Sequence, residues 1–149
     1  MSYLFALLGF AIFTVIGLLS IVLYLLSAFG LKKLADNRGI ENSWIAFIPV
    51  LQVYILGLLI EDLEIFGYEI PELPIVLPVM LAISPIIVKI PVIGSLYPLL
   101  TFIIYCFALH KLYKLYIPDN ATLYIVLSIV LPFMGPILIF SIRDNELLN

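Results

Sequence analysis

Lys89 is the side chain that most demands a chemical reason. It stands alone in a long apolar, proline-broken stretch, residues 75–109. A lysine at the centre of a bilayer costs roughly 2.5–3.5 kcal/mol on insertion scales. It must therefore snorkel to an interface, pair with an acid such as Glu69 or Glu72, or line a solute path. Its position between Pro85 and Pro91 favours snorkelling at a turn. Gln52 is the other strongly polar side chain inside an apolar run, and its ordinary use is a hydrogen bond to a neighbouring helix, with solute contact as the sharper reading.

The remaining reactive residues form no recognisable constellation. His110 is the single histidine and stands beside Lys111 where an apolar run ends, a place suited to interfacial anchoring. Cys106 is the single cysteine, which excludes an internal disulfide framework and any multi-cysteine metal site. Glu61, Asp62, Glu64, Glu69 and Glu72 crowd one segment without a basic residue, but they lack the DxDxDG-type spacing of a calcium loop. HExxH and GxSxG are absent, and no acid lies near the middle of a long apolar run. The chain is accordingly expected not to be an enzyme and to hold no catalytic residue, metal or cofactor.

The elements that would position these residues belong in lipid. Of 149 residues, 64% are hydrophobic and 11% charged, against about a quarter charged in soluble domains, and the mean hydropathy is +1.25. No basic arm suits a nucleic acid, so the bilayer itself is the expected partner. Residues 3–29 carry no charge and exceed the ~7–15-residue core of a signal peptide, which reads as a retained span. Along it, Ala6, Phe10, Phe13, Gly17, Ser20, Tyr24 and Ser27 recur at heptad-like spacing. Gly17, Ser20, Tyr24 and Ser27 thus form a helix-packing face where another backbone can approach closely.

A basic turn follows, with Lys32, Lys33 and Arg38 against Asp36 and Glu41; Asn42 or Ser43 is placed to cap the next helix. Trp44 falls where an interfacial aromatic is expected. Residues 44–60 make a second, short span, in which Pro49 starts or kinks the helix. Residues 61–74 form an acidic outer loop, and 75–91 are too broken for one crossing, so they read as a re-entrant or interfacial segment. A third span ends at His110, Lys111 and Lys114. Asp119 or Asn120 caps a fourth, residues 121–142, bent at Pro132, Gly135 and Pro136.

A shift of 78 residues lays Phe29, Leu31, Lys33 and Leu34 on Phe107, Leu109, Lys111 and Leu112 without a gap. The same shift lays Glu41-Asn42 on Asp119-Asn120. The unit would be span, basic turn, acidic-Asn cap and span, occurring twice in one orientation. The expected architecture is therefore all-α: one integral membrane domain, 1–149, with four transmembrane helices as two hairpins, 3–60 and 92–142, and a tail, 143–149. Lys and Arg excess puts both turns in the cytoplasm, with the acidic loop and both termini outside. In the alternative, 75–91 is a true crossing and there are five spans.

The run RGIENSWIAFIP, residues 38–49, resembles one common in small multi-spanning proteins of Gram-positive bacteria. Those proteins carry a basic-Gly, Asn, Trp, "AWIP"-like sequence after their first span, and Phe47 stands where their second tryptophan usually is. The resemblance implies a bacterial cytoplasmic (inner) membrane protein and carries over no site residue. The expected function is non-catalytic: a subunit, accessory or immunity-type component working through helix contacts, as a homo-oligomer or with a membrane partner protein. The alternative is an oligomeric pore or small transporter with Lys89 and Gln52 on the path.

Overall fold

The protein is described here by a computed structural model covering residues 2–148. It is helical nearly throughout, as the all-α reading expects. Among the described residues there are six α-helices, two short 3-10 segments and one very short β hairpin.

α1 (Ser2–Asn37) has 36 residues and is about 54 Å long. No proline interrupts it, and the hydroxyls of Thr14 and Ser20 donate back to the carbonyls of Phe10 and Ile16, one turn earlier. It ends where Gly39 takes a left-handed φ of +69°, which lets the Ile40 N–H reach back to the Ala35 carbonyl at 2.9 Å. α4 (Ile93–Tyr116) has 24 residues and is about 36 Å long. α1 and α4 are the two helices long and apolar enough to cross a membrane.

The chain directly after α1 folds back along it. The 3-10 segment Ser43–Phe47 runs back along α1: Ser43 donates to the Asp36 carboxylate, the Phe47 ring meets Phe29 edge-on at 4.8 Å, and Tyr24 donates to the Phe47 carbonyl. Ile48 is then extended, as the residue before a proline must be, and Pro49 opens α2 (Pro49–Ile60) at its first turn. α2 climbs alongside α1 again, with Gln52 beside Ser27 and the Leu59 carbonyl beside Arg38. Residues 43–60 are an in-and-out hairpin with its apex at Pro49.

β1 (Glu64–Ile65) and β2 (Tyr68–Glu69) pair antiparallel around Phe66 and Gly67, both at positive φ as a two-residue type I′ turn requires. α3 (Leu73–Ile87) descends against α2 so closely that a Cβ on Gly57 would lie 2.6 Å from Pro74 Cα. α4 rises beside α3, and Tyr97 donates to the Met80 carbonyl at 2.7 Å. After the 3-10 segment Pro118–Asn120, α5 (Ala121–Val130) descends along α4, where the Tyr113 and Ser128 hydroxyls share a 3.1 Å hydrogen bond. The break at Leu131–Phe133 reverses the chain into α6 (Met134–Ser141), whose Ile139 backbone packs on Gly30 of α1. A second in-and-out hairpin results.

These reversals differ from the expected pair of simple helical hairpins. The acidic loop and the C-terminal tail lie against the basic turns. Arg38 pairs with Glu61, Lys111 with Asp62 at 2.9 Å, Asn37 donates to the Arg143 carbonyl, and Leu148 N–H to the Leu115 carbonyl. Neither residues 44–60 nor 121–142 make one continuous helix, because Pro49 and the Pro132–Pro136 bend each turn the chain back. Residues 75–91 are not a separate re-entrant piece but chiefly α3, the antiparallel partner of α4. Helix starts at Asn42 and Asn120 carry no side-chain cap.

With the exception of Lys89, the charged residues lie on segments that meet at one end, called here the polar end. α1 and α4 both rise to this end, and each is followed by an in-and-out hairpin. The returning helix of each hairpin leans on the other unit's long helix, α6 on α1 and α2 on α4. Leu34, Ile55, Leu56, Leu112, Tyr113 and Ile139 fill the space between them.

Candidate functional site

The polar end is tied together by Arg38. Its guanidinium donates to the Leu59 carbonyl at the end of α2 and to the Glu61 carboxylate, joining the first basic turn to the start of the acidic loop. Lys111, from the second turn, pairs with Asp62 beside it. Asp36 accepts from Lys32 at 2.5 Å and from Ser43, and these two bonds, the lysine first, hold its carboxyl below the usual range. Glu64 and Glu69 face each other across the β hairpin, a like-charge pair that favours cations nearby.

The packing face expected on α1 is divided. Ser27 is buried and accepts a 2.9 Å bond from the Gln52 amide, and Tyr24 bonds the Phe47 carbonyl. Gly17 and Ser20 continue the same stripe but meet nothing: a Cβ on Gly17 would have no neighbour within 4 Å. The most apolar stretch of this helix is exposed almost throughout. Half of the stripe is filled by the chain's own hairpin and half is open.

Gln52 has a second role. It borders a groove of about 450 Å³ between α2, α3 and α4, whose floor and walls are chiefly apolar. Ser84, Thr101 and Tyr105 also line it, and no charged residue does. The Gln52 amide donates to Ser27, which leaves its oxygen as an acceptor.

Lys89 lies exposed just beyond α3, at the end remote from the other charges. The alternative pairing with Glu69 or Glu72 does not form, since Glu72 precedes α3 and its 15 residues, about 22 Å, separate the two. His110 is half-buried one residue before Lys111, and Trp44 is 57% exposed beside the first turn, both toward the polar end. Cys106 is partly buried on α4. No group of three His, Cys, Asp or Glu side chains among the described residues could hold a metal ion. Assembled, the molecule offers a charged cap, a free helix half and a neutral groove.

No protein-family model, curated protein or solved structure matches this chain. Two participants escaped sequence reasoning. Arg38 looked like one of several turn cations, and nothing in its neighbours marks it as the residue that closes the first hairpin. The groove is invisible because Ser84, Thr101 and Tyr105 come from two helices whose pairing depends on the reversal at Val88–Val92.

Proposed function

We propose that this chain is a non-catalytic component of the bacterial cytoplasmic membrane that works by docking another membrane segment along the free half of α1. The observation that carries this reading is the divided stripe, closed by the chain's own hairpin at Tyr24 and Ser27 and open at Gly17 and Ser20. A helix continuing into lipid with small residues uncovered is where a second helix packs with most van der Waals contact.

In this reading α1 and α4 cross, α3 with the residues 88–92 that follow it carries the chain back between them, and the hairpins 43–60 and 121–141 enter from one side and return to it. Lys32, Lys33, Arg38, Lys111, Lys114 and Arg143 support a cytoplasmic polar end, with Lys89 at the outer surface. The oligomeric pore has less support. The space between the helices is filled by Leu34, Ile55, Leu56 and Leu112, and Lys89 stands outside it.

A photoreactive residue at position 17, in cells and in mild detergent, tests the proposal. A discrete cross-linked species, either a dimer of the chain or an adduct with a second membrane protein, is expected. A monomer free of adducts at position 17, under conditions where a probe at position 27 cross-links to residues 43–60, would overturn it.

A further inference from the structure

We infer that the groove between α2, α3 and α4 binds an uncharged, single-chain amphiphile whose head carries hydroxyl groups, of the monoacylglycerol class. The cavity, about 450 Å³, is within the size range of small-molecule sites. Leu81 and Phe102 on its rim are exposed, so the opening is sideways, toward the lipid of the membrane placement on which this inference rests.

The polar groups in the groove decide the head chemistry. Ser84 would ordinarily donate to the carbonyl one turn earlier, Met80, but that carbonyl already takes the Tyr97 hydroxyl. Pro85 has no N–H, so the carbonyl of Leu81, another lining residue, loses its usual helical donor. The Gln52 oxygen is left as an acceptor, and neither the Ser84 nor the Tyr105 hydroxyl makes a hydrogen bond among the described residues. In hydrocarbon such groups cost free energy until paired. An alkyl chain alone cannot pair them. Water alone would sit against largely apolar walls. A charged head would find no counter-charge, because Lys89 and the carboxylates lie elsewhere. A hydroxylated head both donates and accepts, while its chain covers Val53, Leu77 and Met80.

The test uses the full chain in vesicles of phosphatidylethanolamine and phosphatidylglycerol, with a trace of monoacylglycerol carrying a diazirine in its chain. Adducts are mapped by mass spectrometry. Label concentrated on residues 77–84 and 101–105, several-fold above residues 3–22, supports the site; the free half of α1 reports ordinary surrounding lipid. Tyr105→Phe and Ser84→Ala, which remove only hydroxyls, should lower groove labelling several-fold and leave α1 labelling unchanged. Phosphatidylglycerol with the same diazirine chain should label the groove no more than α1. Equal labelling of groove and α1, indifference to both substitutions, or equal labelling by the charged lipid would overturn the inference while leaving α1 docking intact. If α1 takes no label either, the membrane placement itself fails and the inference with it.

Discussion

Arg38 and Glu61, twenty-three residues apart, form an ion pair across the mouth of the first hairpin. A crossing between them would separate them by about 30 Å of hydrocarbon. The pair holds the start of the acidic segment against the first basic turn, and in the membrane placement proposed above both lie on one side. Cysteines at Lys33, Glu64 and Lys114 should all react with a membrane-impermeant thiol reagent from the cytoplasmic side, in a Cys106→Ser background, and a cysteine at Lys89 only from outside. Glu64 reacting together with Lys89 would mean that the chain crosses between Arg38 and Glu61.

Arg38 and Glu61 should contribute unequally. The Arg38 side chain is 18% exposed and also covers the Leu59 carbonyl, whereas Glu61 is 68% exposed. Arg38→Gln is expected to cost about 1.5–3 kcal/mol, the range for hydrogen bonds to charged groups. Glu61→Gln should cost less than about 1 kcal/mol, as for a solvated surface pair. Thermal unfolding of the two variants in detergent measures the difference; equal losses would mean that the carbonyl contact adds nothing.

Periodicity and composition disclosed the helical class, the two long helices and the basic turns, because apolar runs and charge placement are properties of neighbouring residues. Pro132, Gly135 and Pro136 correctly marked a bend. What could not be read is how far each bend turns the chain. Pro49 starts a helix equally well whether the chain goes on or comes back, and only the contacts of Phe47 with Phe29, and of Arg38 with Leu59, decide between the two. Gln52 was legible as a polar residue seeking a helix partner, and Ser27 proved to be that partner. The open half of its stripe was not legible, since Gly17 and Ser20 have the same spacing as the residues that pack.

Acid should loosen the first turn. Hydrogen bonds from Lys32 and Ser43 hold the Asp36 pKa below its unfolded value of 3.8. The group's contribution is thus complete above 3.8 and is lost as pH falls through the lower folded value. Asp36→Asn should remove this part of the acid slope while leaving the slope from other carboxylates. Unfolding midpoints recorded from pH 6 down to pH 3 give the comparison. An unchanged acid slope in the variant would mean that the pairing with Lys32 and Ser43 confers no stability.

Two glycine substitutions should have opposite effects. At Gly57 a Cβ would lie 2.6 Å from Pro74 Cα and 2.9 Å from its nitrogen, both backbone atoms that no side-chain rotation can move. Gly57→Ala must push α3 away from α2, at a cost of about 1–3 kcal/mol typical of overpacking. Because α3 forms one wall of the groove, the same change should also lower monoacylglycerol labelling there. At Gly17 a Cβ meets nothing, and alanine is the better helix former by about 1 kcal/mol. Gly17→Ala should therefore leave the isolated protein as stable or slightly more so, yet weaken any cross-link at the neighbouring Ser20, where closeness of approach matters. Unfolding midpoints separate the two effects: a large loss at Gly17 would mean that α1 is already covered within the chain.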